Sequence, residues 1–129
     1  MLKKILSAGV VLAAVSAAPS FAASSFQYTC SNTSFAYVSN QAALQATCLR
    51  ANGTSNPTTL ILNGISNQNG NLVQGSGSSS FQQSCGNIQV SVNGGNVTLS
   101  ALCRTTGGNS VATSLPLNNI SNQNGNLSY

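Results

Sequence analysis

The chain has 129 residues and contains no Asp, no Glu and no His; its four charged side chains are all Lys or Arg. General acid/base catalysis is left with almost no candidates, and carboxylate or imidazole metal sites are excluded because their ligands are missing. Beyond Lys3 and Lys4 only Arg50 and Arg104 are charged, too few for the basic patch that nucleic acid or an anionic lipid surface requires.

At the start of the chain, Lys3 and Lys4 precede an apolar run from Ile5 to Ala18, followed by Pro19 and the small-residue pattern Ser20-Phe21-Ala22. This order predicts a signal peptide over residues 1–23, cleaved after Ala22 or Ala23, and a secreted or periplasmic product. The run is shorter than the roughly 20 apolar residues a membrane span needs, so no membrane insertion is expected.

From residue 24 onward the chain repeats itself. Displaced by 55 positions, residues 24–74 align with 79–129 without a gap, and 23 of the 51 pairs are identical. Ser25-Phe26-Gln27 returns as Ser80-Phe81-Gln82, Cys30 as Cys85 and Cys48 as Cys103. Between the copies, Gly75-Ser76-Gly77-Ser78 has no bulky side chain to pack and reads as a flexible joint.

Within the copies, Thr33, Phe35 and Tyr37, then Ile88, Val90 and Val92, and Val97, Leu99, Ala101 and Cys103 step by two, the period of half-buried strands. Asn93-Gly94-Gly95 signals a hairpin, and no helical stripe follows the leader, so the fold class is all-β. Each copy is of a size at which a lone core is marginal. One disulfide per copy, Cys30–Cys48 and Cys85–Cys103, is the natural pairing, each closing a loop whose constraint contributes roughly 3 kcal/mol. Catalytic cysteines are the alternative, disfavoured because no histidine exists to form a thiolate and the secretory route is oxidising.

Identity between the copies is unevenly spread. From Ser31 to Ala43 only Asn32 finds its match, in Asn87, whereas Ile65 to Leu72 and Ile120 to Leu127 agree at all eight positions. Asn69-Gly70 and Asn124-Gly125 sit at the centre of tight-turn signals between apolar flanks. Turn chemistry explains the Asn-Gly pairs; it does not explain Gln68 and Gln123, which suggest a row of amide donors and acceptors at each hairpin tip.

The order Ser-Phe, Cys, strand pair, Cys, Leu-x-Leu-Asn, then Ile-x-Asn-x-Asn-Gly-x-Leu, given twice, resembles the cyanovirin-N family over essentially the whole of residues 24–129. The resemblance implies a single pseudo-symmetric domain of two lobes, each a three-stranded sheet plus a β-hairpin, with the chain crossing between lobes. It also implies a lectin without cofactor or metal that binds neutral, mannose-rich oligosaccharides, typically α1,2-linked, at two quasi-equivalent pockets. Carried over by position, the first pocket comprises Tyr28, Thr29, Arg50, Ala51 and Asn52 with Asn122, Gln123 and Asn124. The second comprises Ser80, Gln83, Ser84, Arg104, Thr105 and Thr106 with Asn67, Gln68 and Asn69. Amides, hydroxyls and one Arg fork per pocket suit sugar hydroxyls, which donate and accept without net charge.

The chain departs from the family's pattern in carrying Asn69 and Asn124 where Asp is usual, and in a Gly/Ser joint without proline, which leaves monomer and lobe-swapped dimer both open. A reading from another class is a structural or adhesive extracellular protein whose amide-rich hairpins serve packing or assembly, with no sugar binding.

Overall fold

The structure is a computed structural model that describes residues 22–129; the expected leader lies outside the described residues except for Ala22 and Ala23. In the first copy β1 (Cys30–Val38), β2 (Gln41–Leu49) and β3 (Ser55–Ile61) form an antiparallel sheet, followed by a hairpin of β4 (Asn63–Gln68) and β5 (Asn71–Ser78). The second copy repeats the order: β6 (Cys85–Asn93), β7 (Asn96–Arg104) and β8 (Ser110–Pro116), then the hairpin β9 (Ser121–Gln123) and β10 (Asn126–Ser128). Both disulfides pair as expected, Cys30 with Cys48 and Cys85 with Cys103, and the all-β, two-lobed architecture stands.

The period-two pattern turns into burial most cleanly in the central strands, where Val97, Leu99, Ala101 and Cys103 of β7 face the interior. The alternation in β1 and β6 fades toward their ends: Phe35 is half-buried, but Tyr37 and Val92 run past the rim of the core and are exposed. Each of these strands also carries a register shift, between Ser31 and Ser34 in β1 and between Gly86 and Gln89 in β6. Asn32 and Asn87 sit in those shifts with φ of 55° and 50°, a left-handed conformation that Asn tolerates far better than most side chains. This is the physical reason that the pair survives alone in an otherwise divergent stretch.

The two copies share one core. Phe26 and Phe81, each in a one-turn 3-10 segment, are fully buried together with Leu44, Leu62, Ile65, Leu99 and Ile120. Each hairpin leaves its own copy and packs on the sheet of the other, β10 against β3 and β5 against β8. The crossing is fixed by equivalent bonds: the Leu127 N–H donates to Thr58 Oγ1 and the Leu72 N–H to Thr113 Oγ1, both at 3.1 Å. We call β1–β3 with β9–β10 the first lobe and β6–β8 with β4–β5 the second.

Two serines lock the hairpin bases. Ser24 Oγ donates to the Leu117 carbonyl at 2.6 Å and accepts the Ile120 N–H at 3.1 Å; Ser79 Oγ does the same with Leu62 and Ile65 at 2.6 and 3.0 Å. The segment Gly75 to Ser78, expected as a free joint, is instead the end of β5: Ser78 pairs with Asn63 and Gln74 with Ile65, and the extra residues bulge between them. Its small residues permit that irregular register, with Gly77 at φ 84°.

Candidate functional site

Each identical hairpin begins its work on itself. Asn69 and Gly70 have φ of 52° and 91°, and Asn124 and Gly125 of 51° and 94°, the positive pair that a two-residue hairpin turn demands. Asn67 Oδ1 then accepts the Gly70 N–H, and Asn122 Oδ1 the Gly125 N–H, both at 2.7 Å.

The same side chains reach across to the opposite copy. In the first lobe Asn122 Nδ2 donates to Thr29 Oγ1 and to the Leu49 carbonyl, both at 2.9 Å, and Asn124 Oδ1 accepts the Ala51 N–H at 2.8 Å. In the second lobe Asn67 Nδ2 donates to Ser84 Oγ and the Arg104 carbonyl, again at 2.9 Å, while Asn69 Oδ1 accepts the Thr106 N–H and hydroxyl at 2.9 and 3.1 Å. Asn67 and Asn122 therefore have both amide hydrogens and the carbonyl engaged, and act as latches between hairpin and sheet. On these exposed residues the Nδ2 of Asn69 and Asn124 and the Oε1 of Gln68 and Gln123 have no hydrogen bond among the described residues, while the glutamine Nε2 groups donate to Ser66 and Ser121 at 3.0 and 2.8 Å.

The two arginines do not occupy equivalent places. Arg50 follows β2 and aligns with Thr105; Arg104 ends β7 and aligns with Leu49. Arg50 Nη2 donates to Asn56 Oδ1 at 2.7 Å, and Asn56 Nδ2 donates in turn to the Gly125 carbonyl at 2.8 Å. A Cβ on Gly125 would lie 2.7 Å from Arg50 Cγ, so the arginine stem covers the turn. At the second turn a Cβ on Gly70 would lie 2.6 Å from Val111 Cγ2 and 3.0 Å from Thr105 Cγ2: methyl groups replace the polar network. Arg104 is exposed, its guanidinium has no hydrogen bond among the described residues, and it lines a groove of about 310 Å³ with Gln83, Ser84, Leu102 and Ser110.

Other expected site residues are placed differently. The Tyr28 side chain is exposed and turns toward the opposite copy, where a Cβ on Gly95 would lie 3.1 Å from its hydroxyl. Asn52 Oδ1 accepts the N–H and hydroxyl of Thr54 within its own turn, at 3.0 and 2.7 Å. Ser80 opens the 3-10 turn, its N–H donating to the Ile65 carbonyl at the hairpin base and its carbonyl accepting from Gln83; its hydroxyl has no hydrogen bond among the described residues. Sequence reasoning passed over Asn56, Thr58, Thr113, Ser24 and Ser79. Identity between the copies marks the last four, whereas Asn56 faces Val111 in the alignment and left no signal.

Residues 26–128 match the family model described as the CVNH domain. Among solved structures, the chain is similar to microvirin, solved as a mannobiose complex: 30% identity, covering 80% of this chain and 95% of that one, TM-score 0.59. A CVNH protein of T. borchii is 29% identical over 81% of this chain and 98% of its own, TM-score 0.62. A MoCVNH3 variant in complex with (N-GlcNAc)4, 19% identical over 86% and 99% with a TM-score of 0.65, shares the fold. No curated protein matches the sequence.

Proposed function

From the premise that this chain belongs to the CVNH domain family, we propose that it is an exported lectin for neutral oligosaccharides, with mannose-type disaccharides first among them. Microvirin, 30% identical, was solved with mannobiose, and that likeness supports the sugar class. The observation that carries the reading is the group left open beside the latched hairpin of the second lobe. Arg104, Gln83 and Ser84 line one groove, and Asn69 Nδ2 has no partner among the described residues at the neighbouring tip. These groups donate and accept without a carboxylate, the pattern that vicinal hydroxyls satisfy. The first-lobe site offers Asn124 Nδ2 and Gln123 Oε1 but has its arginine engaged by Asn56, so it is the weaker of the two. Export follows from the Lys-led apolar segment before residue 23.

The test is titration of the purified protein with mannobiose, followed by calorimetry, with Arg104→Ala beside it. Binding that weakens about tenfold in the variant at unchanged melting temperature supports the reading. Absence of binding to mannobiose and to an array of neutral glycans would leave the hairpins with the packing role alone.

A further inference from the structure

A second concavity lies far in character from either lobe site. A cleft of about 530 Å³ is lined by Asn63, Gln74, Gly75, Leu115, Pro116, Asn118, Asn119 and Tyr129. Asn63 and Asn118 are equivalent residues of the two copies, and so are Gln74 and Tyr129. The cleft therefore straddles the internal symmetry, where the bases of the two hairpins meet, and shares no residue with the sites proposed above. Of these two pairs, the second differs in chemistry. Gln74 turns back on its own strand pair, donating from Nε2 to the Asn63 and Gly75 carbonyls at 2.8 and 3.1 Å, whereas Tyr129 presents an aromatic ring.

The chemistry of the lining is selective. No lining side chain is charged, so a charged ligand would lose its water without gaining a side-chain counterion. Leu115, Pro116 and the Tyr129 ring supply apolar surface. Around it stand polar groups without partners among the described residues: the side-chain amides of Asn63 and Asn118, Gln74 Oε1 and Asn119 Nδ2, the last because Asn119 uses its Oδ1 to accept the Ala22 N–H. The Tyr129 oxygen accepts the Asn63 N–H at 3.1 Å, which leaves its own hydrogen to donate. Burial pushes the phenol above its ordinary pKa, against the opposing pull of the Asn63 N–H, so that proton is retained across the neutral range. The volume falls within the roughly 300–1,000 Å³ of small-molecule sites, which combine an apolar lining with a few convergent polar groups.

We infer that this cleft is a third binding site, for one neutral ring with an apolar C–H face and a hydroxyl edge, a saccharide unit seated against Tyr129. The lobe sites are not required for it. Where a lobe site offers amides and an arginine at an open rim, the cleft offers an aromatic wall and amides on both sides of the internal symmetry.

The experiment is an amide NMR titration of the protein expressed from the complete chain, with mannobiose as the probe, repeated with Tyr129→Gln, which installs the residue of the equivalent position. Expected are shifts at Asn63, Asn118, Asn119 and Tyr129, with affinity at these residues falling about tenfold in the variant while Ala51 and Thr106 respond as before. Asn118→Ala, whose side chain has no hydrogen bond among the described residues, is expected to weaken the same shifts. An unperturbed cleft at millimolar sugar, or cleft shifts that both variants leave intact, overturns the inference. Failure of the lobe sites is read separately, at Ala51, Thr106 and the hairpin amides.

Discussion

In the first lobe an arginine stem covers the hairpin turn and its guanidinium joins Asn56 to the strand below; in the second, the methyl groups of Val111 and Thr105 cover the same turn and the arginine is one residue earlier, in the open. The latching amides are the same in both, down to a tenth of an ångström for several bonds. A duplicated scaffold has thus kept the interactions that close each lobe while exchanging what cushions the tip. The lesson is that equivalence in fold does not carry over to equivalence in site. Arg50 already commits N–H donors to Asn56 and Thr54, so it has fewer left for a ligand than Arg104.

The largest effects test the shared scaffold. Phe26→Ala and Phe81→Ala each remove a fully buried ring and are expected to cost about 3–5 kcal/mol in urea unfolding. The loss at Phe81 should exceed the other by about 1 kcal/mol, because Phe81 stands edge-on to Phe35 with centroids 6.1 Å apart, and the residue aligned with Phe35 is Val90. Equal losses would show that the aromatic pair adds nothing beyond its area. Next come the latches: Asn67→Ala and Asn122→Ala each orphan three hydrogen-bond partners and should cost about 1–3 kcal/mol, alike in the two lobes by thermal melting.

The arginines are where the lobes should part. Arg50→Ala is expected to lower stability by about 1 kcal/mol through the lost Asn56 bond and the uncovered turn, and Arg104→Ala to leave it within about 0.5 kcal/mol. A destabilised Arg104→Ala would place that side chain in the scaffold after all.

The smallest effect is set by pH. With no Asp, Glu or His, nothing in the side chains titrates through the acid and neutral range, and stability should be flat from about pH 4 to 9. Tyr129 has its phenol pKa raised by burial, so the folded state holds that proton more tightly than the unfolded chain. Its contribution is complete below the ordinary tyrosine value and is lost as pH rises through the raised one. Melting temperature should therefore fall at alkaline pH, and less so in Tyr129→Phe. A loss at acid pH in either protein would contradict this account.

Much of the fold was legible beforehand because a repeat displays its constraints twice. Period-two patterning found the buried face of β7, cysteine spacing found both disulfides, and the isolated match of Asn32 with Asn87 marked a position that proves to need positive φ. The candidate site was legible only as a neighbourhood. Thr29 with Asn122 and Ser84 with Asn67 are in contact, yet Tyr28 turns toward the opposite copy and Asn52 closes its own turn.

By itself, then, the sequence determined the strand periodicity, the two staples and the tight turns, since each follows from local residue chemistry or from residue spacing. Tertiary structure alone decided which amides are consumed as latches, which arginine is free, and that a cleft opens where equivalent residues of the two copies face each other. The latches join partners 17 to 93 positions apart, and the Arg50–Asn56 bond, only 6 apart, is held against Gly125 at 69 positions from Asn56; no local pattern records what a side chain meets across such distances.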